Sequence, residues 1–123
     1  MKIIFKTSKV TLEGELNNSQ TALKIYEGLP FEVKANTWGE EIYFKIPVHC
    51  PPENATLDVE AGDIAYWPEG DCLCIFFGRT PASINNKPRP ASEVNIVGKA
   101  VGDVSILKNI KSGDKITVTK KKL

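Results

Sequence analysis

Arginine is almost missing from this chain. Only Arg79 and Arg89 occur in 123 residues, beside one histidine (His49), one glutamine (Gln20) and one methionine. Lysine carries most of the positive charge, and the formal net charge is only +1. No global basic field results, so nucleic acid is not implied as a partner. Lys120, Lys121 and Lys122 near the C-terminus read as a solvated tail. Long apolar runs are missing as well, so no membrane span is implied. The opening "MKIIFKTSKV" is interrupted by Lys6 and Lys9 and has too short an apolar core for a secretion signal. Cysteine is scarce, and three is an odd number, which argues against a secreted disulfide framework. Together these absences predict a cytoplasmic protein. No glycine-rich phosphate loop is present, and no pair of acids is framed as a general acid/base couple. The acids Glu40, Glu41, Glu60, Asp63, Glu69 and Asp71 fall mostly at expected turns. No cofactor is implied.

What is present is strand pattern. The length suits a single domain over residues 1–123, large enough to bury a real core. "KIIFKTS" sets Ile3 and Phe5 on one face. "KVTLEGEL" alternates Val10, Leu12 and Leu16 inward against Thr11, Glu13 and Glu15 outward, the period of a half-buried strand. "NNSQTALKIYEGLP" predicts one helix. Asn18 or Ser19 caps it, Ala22, Leu23, Tyr26 and Leu29 form its apolar stripe, and Gly28 and Pro30 end it. "PFEVKAN" and "EEIYFKIPV" alternate again and are expected to pair around "NTWGE", with Phe31, Val33, Ala35, Ile42, Phe44 and Ile46 inward. A short strand is expected at "TLDVE", then two central strands, "DIAYW" and "CLCIFF", joined by the turn "PEGD". A loop with three prolines follows. "EVNIVGKAV" is a further strand, "DVSILKNI" a short second helix capped by Asp103, and "DKITVTKK" the last strand. About eight strands and two helices predict an antiparallel barrel or sandwich.

The candidate chemistry concentrates in "GDIAYWPEGDCLCIFFGRTP", residues 62–81. Cys72 and Cys74 share one strand face. With His49 and Cys50 they would make four zinc ligands, but their spacing matches no standard finger and their neighbours are Leu, Ile and Phe, so they read as small apolar filler. No metal site is assigned. His49 reads as a solvated loop histidine beside prolines. Arg79, with Thr80 and Ser83, either presents donors to a carboxylate or amide carbonyl or clamps loop carbonyls, and the sequence leaves both open. Trp38, Tyr43, Tyr66, Trp67 and Phe77 are candidates for one apolar groove. Tyr66 and Trp67 point to opposite faces of a regular strand, so at most one lies inside the barrel.

In order, these elements resemble the cyclophilin fold, most closely the small stand-alone cyclophilin-like proteins of bacteria and archaea. The resemblance rests on "GDIAYW" as a Gly-led strand, "CIFFGRTP" as a Phe-Phe strand, "VNIVGKAVGDVSIL" leading into a second helix, and "KITV" as a closing strand. It implies a mainly β fold, a closed eight-stranded antiparallel barrel capped by two short helices. Standard cyclophilins twist a prolyl bond with an arginine. The strand that would carry it here offers only Lys45, which lacks a planar guanidinium fork. Phe77 corresponds to a pocket phenylalanine, and Trp67 replaces a small residue that borders the peptide groove. The rim tryptophan and histidine have no counterpart in "ASINNKPRPASE". The sequence therefore predicts a binding domain for a peptide or a small carboxylate or amide ligand. Its groove is expected to be floored by Trp67 and Phe77, edged by Arg79 and completed by Thr80, Tyr66 and Tyr43. A divergent peptidyl-prolyl cis/trans isomerase, and an accessory subunit of an amide-hydrolysing system, stand beside it as alternatives. No catalytic residue is assigned, and the choice between monomer and homodimer stays open.

Overall fold

The structure is a computed structural model, and it describes residues 1–122. Among the described residues nine strands form one antiparallel sheet: β1 (Lys2–Lys6), β2 (Thr11–Leu16), β3 (Phe31–Lys34), β4 (Asn36–Thr37), β5 (Glu41–Lys45), β6 (Asp63–Trp67), β7 (Cys72–Phe76), β8 (Asn95–Val101) and β9 (Lys115–Lys120). Their order is β3-β9-β1-β2-β8-β6-β7-β5-β4. The two terminal strands of that order, β3 and β4, are separated in the chain by Ala35 alone. This single ribbon joins the two ends of the sheet into a nearly closed barrel, which leaves little free edge. Taken as one ribbon, β3 and β4 reconcile nine strands with the eight expected.

The interior follows from the alternation. Ile3, Phe5, Leu12, Leu16, Phe31, Ala35, Ile42, Phe44 and Ile46 are all buried in one cluster with Ile64, Tyr66, Leu73 and Ile75, while Val33 is partly buried against it. The pairing of the third expected strand differs from the hairpin predicted. Only Asn36 and Thr37 pair with β5, opposite Tyr43 and Ile42, whereas Phe31–Lys34 pairs with β9. Burial of Phe31 opposite Val118 explains the switch, since that register turns its ring into the barrel. "TLDVE" forms no strand. It contributes one isolated bridge, Thr56 to Val94, because the chain there is held by side-chain contacts rather than a ladder.

Two helices close the structure as expected in place and cap. Ser19 Oγ accepts from Ala22 N at the start of α1 (Gln20–Gly28), and Asp103 accepts from Ser105 N before the 3₁₀ helix Val104–Asn109. Of the expected stripe, Ala22 is buried and Tyr26 and Leu29 pack partly buried against the core, but Leu23 is 49% exposed, and Thr21 and Ile25 complete the buried face. A polar network rotates the helix to that face. Glu53 accepts from Gln20 N, Thr21 N and Thr21 Oγ1, and the buried Asn95 side chain donates to Thr21 Oγ1 and Pro51 O while accepting from Glu53 N. The first turn of α1 is thereby bound to the loop before β6 and to β8. No helix among the described residues is long and apolar enough to cross a membrane.

Candidate functional site

The strand β7 is buried on both faces, which is why its sequence runs apolar instead of alternating. Leu73 and Ile75 face the barrel interior. Cys72, Cys74 and Phe76 face outward into a second cluster with Val59, Ala65 and Val94, against which Tyr43, Trp67 and Ile96 pack. Val59, from the segment before β6, and Val94, at the end of the segment 78–94, pack on this outer face. Thr80 organises the second of these segments: its hydroxyl donates to Arg89 O at 2.5 Å and accepts from Ala82 N, and its amide donates to Ser83 Oγ. Lys87 then ties the same segment to Asp58 and Glu60.

Between the covering segment and the sheet lies a cavity of about 240 Å³, lined by Trp38, Glu41, Tyr43, Trp67, Cys74, Pro90, Ala91 and Val94. Each wall follows from local structure. Glu41 and Tyr43 alternate outward on β5, opposite Phe76 and Cys74 of β7. Trp38 sits in the turn before β5, where its N–H donates to Glu41 O. Gly39 lets that turn dock: its φ is +61°, and a Cβ there would lie 2.9 Å from Arg79 O. Trp67 ends β6, and its indole N–H donates to Ser92 Oγ at 2.6 Å. Gly70 supports the ring from the β6–β7 turn, since a Cβ there would stand 2.5 Å from Trp67 Cε3.

Glu41 is the chemically distinctive group in this lining. It is 6% exposed, and burial pushes its carboxyl up to about 7. The neighbouring Cys74 thiol has a weaker opposing effect and is itself pushed well above its ordinary range, chiefly by burial. No lysine or arginine lines the cavity among the described residues. A buried acid without a cationic partner is costly unless it titrates or meets a ligand, and such groups concentrate at functional sites.

The structure brings Trp38, Tyr43 and Trp67 to this cavity but not Tyr66, Phe77, Arg79 or Thr80. Phe77 packs against the barrel-interior cluster, and Trp67 against the outer one, so the two do not floor one groove. The reason is register. Glu41 pairs with Phe76, which places the first phenylalanine of the pair outward, and Phe77 N donates to Glu40 O beyond the end of β7. Arg79 is exposed and reaches only Ser83 O, at 3.5 Å. Thr80 is a loop staple. Tyr66 is fully buried in the interior, where its hydroxyl accepts from Cys50 N and lies 2.8 Å from Val48 O and 2.9 Å from Asp71 Oδ1. Burial, with Asp71 adding to it, pushes that phenol to about 12. His49 pairs with Asp71 at 2.8 Å, which holds the Asp71 carboxyl below its usual range. No group of three or more His, Cys, Asp or Glu among the described residues is arranged to hold a metal ion. Lys45, on the same face of β5 as Glu41 and Tyr43, does not line the cavity. Glu41 is the residue that sequence reasoning missed. It looked like one acid of a turn, and its signal was its two-residue spacing from Tyr43.

A family model described as cyclophilin-like matches residues 1–119. The chain belongs to the cyclophilin-like family. The solution structure of the hypothetical protein AF2241 from Archaeoglobus fulgidus is similar to this cyclophilin-like protein at 38% identity, with a TM-score of 0.85, covering 98% of this chain and 95% of that one. None of the curated proteins compared with the chain matches it. The family accounts for the barrel and for the place of the Gly-led and Phe-Phe strands in it. In this cyclophilin-like chain, the cavity against the outer sheet face presents a carboxyl and three aromatic rings, with neither arginine in its lining.

Proposed function

We propose that this cyclophilin-like protein is a ligand-binding domain. Its pocket takes a small, largely apolar group that carries one hydrogen-bond donor or positive charge, which Glu41 meets. The observation that carries this reading is a buried carboxyl in an aromatic-walled cavity whose lining supplies no cation. The aromatic and proline walls favour apolar contact, and one polar group fixes orientation, the usual division of labour in a small-molecule site. Of the ligand classes the sequence left open, an amide N–H or an amine suits Glu41. A carboxylate does not, because Arg79 lies elsewhere and an ionised Glu41 repels it. Prolyl isomerisation gains no support from this lining, which has no donor like the guanidinium used by standard cyclophilins.

Titration of ¹⁵N-labelled protein with pyrrolidine, N-ethylacetamide and acetate tests the reading. The amine and the amide are expected to shift the indole resonances of Trp38 and Trp67 and the amides of Cys74 and Val94, and acetate is expected to leave them in place. Perturbations confined instead to a separate surface cleft lined by Thr37, Phe77, Leu107 and Ile110, or a preference for acetate, would overturn it.

A further inference from the structure

We infer that the pocket recognises a substituted ammonium group, an amine carrying several carbon substituents, by enclosing it among Trp38, Tyr43 and Trp67 with Glu41 as counter-charge. This rests on the ligand-binding reading above and names the chemical class. Three observations converge on it. First, the rings of two tryptophans and one tyrosine line a single cavity, and aromatic faces attract cations through the ring quadrupole, tryptophan most strongly. Second, the lining contains one acid and no base, so the field in the cavity favours positive charge. Third, the polar edge of Trp67 is already engaged by Ser92, and Pro90, Ala91 and Val94 bring no polar side chain, so the cavity offers a bound group few hydrogen bonds. That suits an alkylated ammonium, which has little hydration to replace, better than a primary ammonium with three donors.

The size fits. A dry cavity of about 150 Å³ accepts benzene, so about 240 Å³ has room for a trimethylammonium head. The groups facing Glu41 are Tyr43 on its own strand and Cys74 and Cys72 on β7, and the covering segment contributes only Pro90, Ala91 and Val94. A permanent cation has no proton to lose. Binding one therefore draws the proton off Glu41, and the pH dependence of affinity reports that carboxyl alone.

Calorimetric titration with choline and with 3,3-dimethylbutan-1-ol, its neutral carbon isostere, tests this. At pH 8 choline is expected to bind at least tenfold more tightly than the alcohol. Its affinity is expected to fall about tenfold at pH 6, as Glu41, with its carboxyl raised to about 7, takes up a proton. The alcohol's affinity is expected to be flat. Glu41→Gln, which removes a buried charge and is expected to fold, should bring the two affinities within about twofold of each other. Equal or tighter binding of the alcohol at pH 8 overturns the ammonium inference while leaving an apolar ligand pocket standing. A pH-independent preference for choline also overturns the role given to Glu41. Failure of both probes to bind, with amide fragments still shifting Trp67, overturns the inference alone. Failure of every probe overturns the pocket reading as well.

Discussion

Replacing Glu41 by glutamine should make the protein more stable at neutral pH. Glu41 is 6% exposed, and its carboxyl is raised from 4.5 to about 7, first by burial and against the pull of the Cys74 thiol. In the unfolded chain the same carboxyl ionises near 4.5. Between these two values the folded protein holds a proton that the unfolded chain has released. Stability therefore falls as pH rises through this window, and the loss is complete above about 7. At about 1.4 kcal/mol per pH unit, the interval from 4.5 to about 7 corresponds to about 3 kcal/mol. Glutamine has the shape of the protonated acid and no charge to desolvate. Urea unfolding of both proteins from pH 4.5 to 8 measures the difference. The two curves should nearly coincide at pH 4.5, and the variant should lead by about 3 kcal/mol at pH 8. Carboxyls such as Asp71 and Glu53, held below their usual range by hydrogen bonds from His49 and Thr21, act at lower pH and equally in both proteins. A difference that stays flat across this range would refute the reasoning. A natural acid that costs stability at neutral pH is the expected signature of a group kept for binding.

Two further outcomes concern the frame that holds the pocket. Asn95→Ala strips three hydrogen bonds from the junction of α1, β8 and the Pro51–Glu53 loop and leaves buried partners unpaired, so it should cost about 3 kcal/mol and lower Tm by roughly 10 °C in a thermal melt. Gly98→Ala places a Cβ 2.3 Å from Glu15 O and 3.0 Å from Leu16 Cα, both backbone atoms of β2, and should cost about 3 kcal/mol with faster amide exchange along the β2–β8 ladder.

The barrel was legible because its strands state their faces. "KVTLEGEL" and "EEIYFKIPV" alternate at period two, and the helix starts carry side-chain caps that the structure uses, Ser19 and Asp103. Pairing was less legible. Nothing local in "PFEVKAN" tells that Phe31–Lys34 joins β9 while Asn36–Thr37 joins β5, because the choice depends on a strand more than 80 residues away in sequence. The apolar stripe alone gave the face of α1 only in part: Ala22 is buried and Tyr26 and Leu29 pack against the core, but Leu23 is exposed. Thr21 is buried by its bonds to Glu53 and Asn95, which no helical period records. The site was the least legible part. In a strand buried on both sides, two adjacent phenylalanines do not declare which points outward, and the register with Glu41 makes it Phe76. Glu41 itself was hidden because an acid at the entry of a strand looks like a turn residue, and only the segment folded over β5 buries it.

Glu41 is a desolvated acid that faces the aromatic-walled cavity. Following its side-chain carboxyl carbon by ¹³C NMR through a pH titration of the ligand-free protein tests this most directly. The account predicts a midpoint near 7 that moves downward when choline is added. A midpoint near 4.5, unmoved by choline, would contradict it.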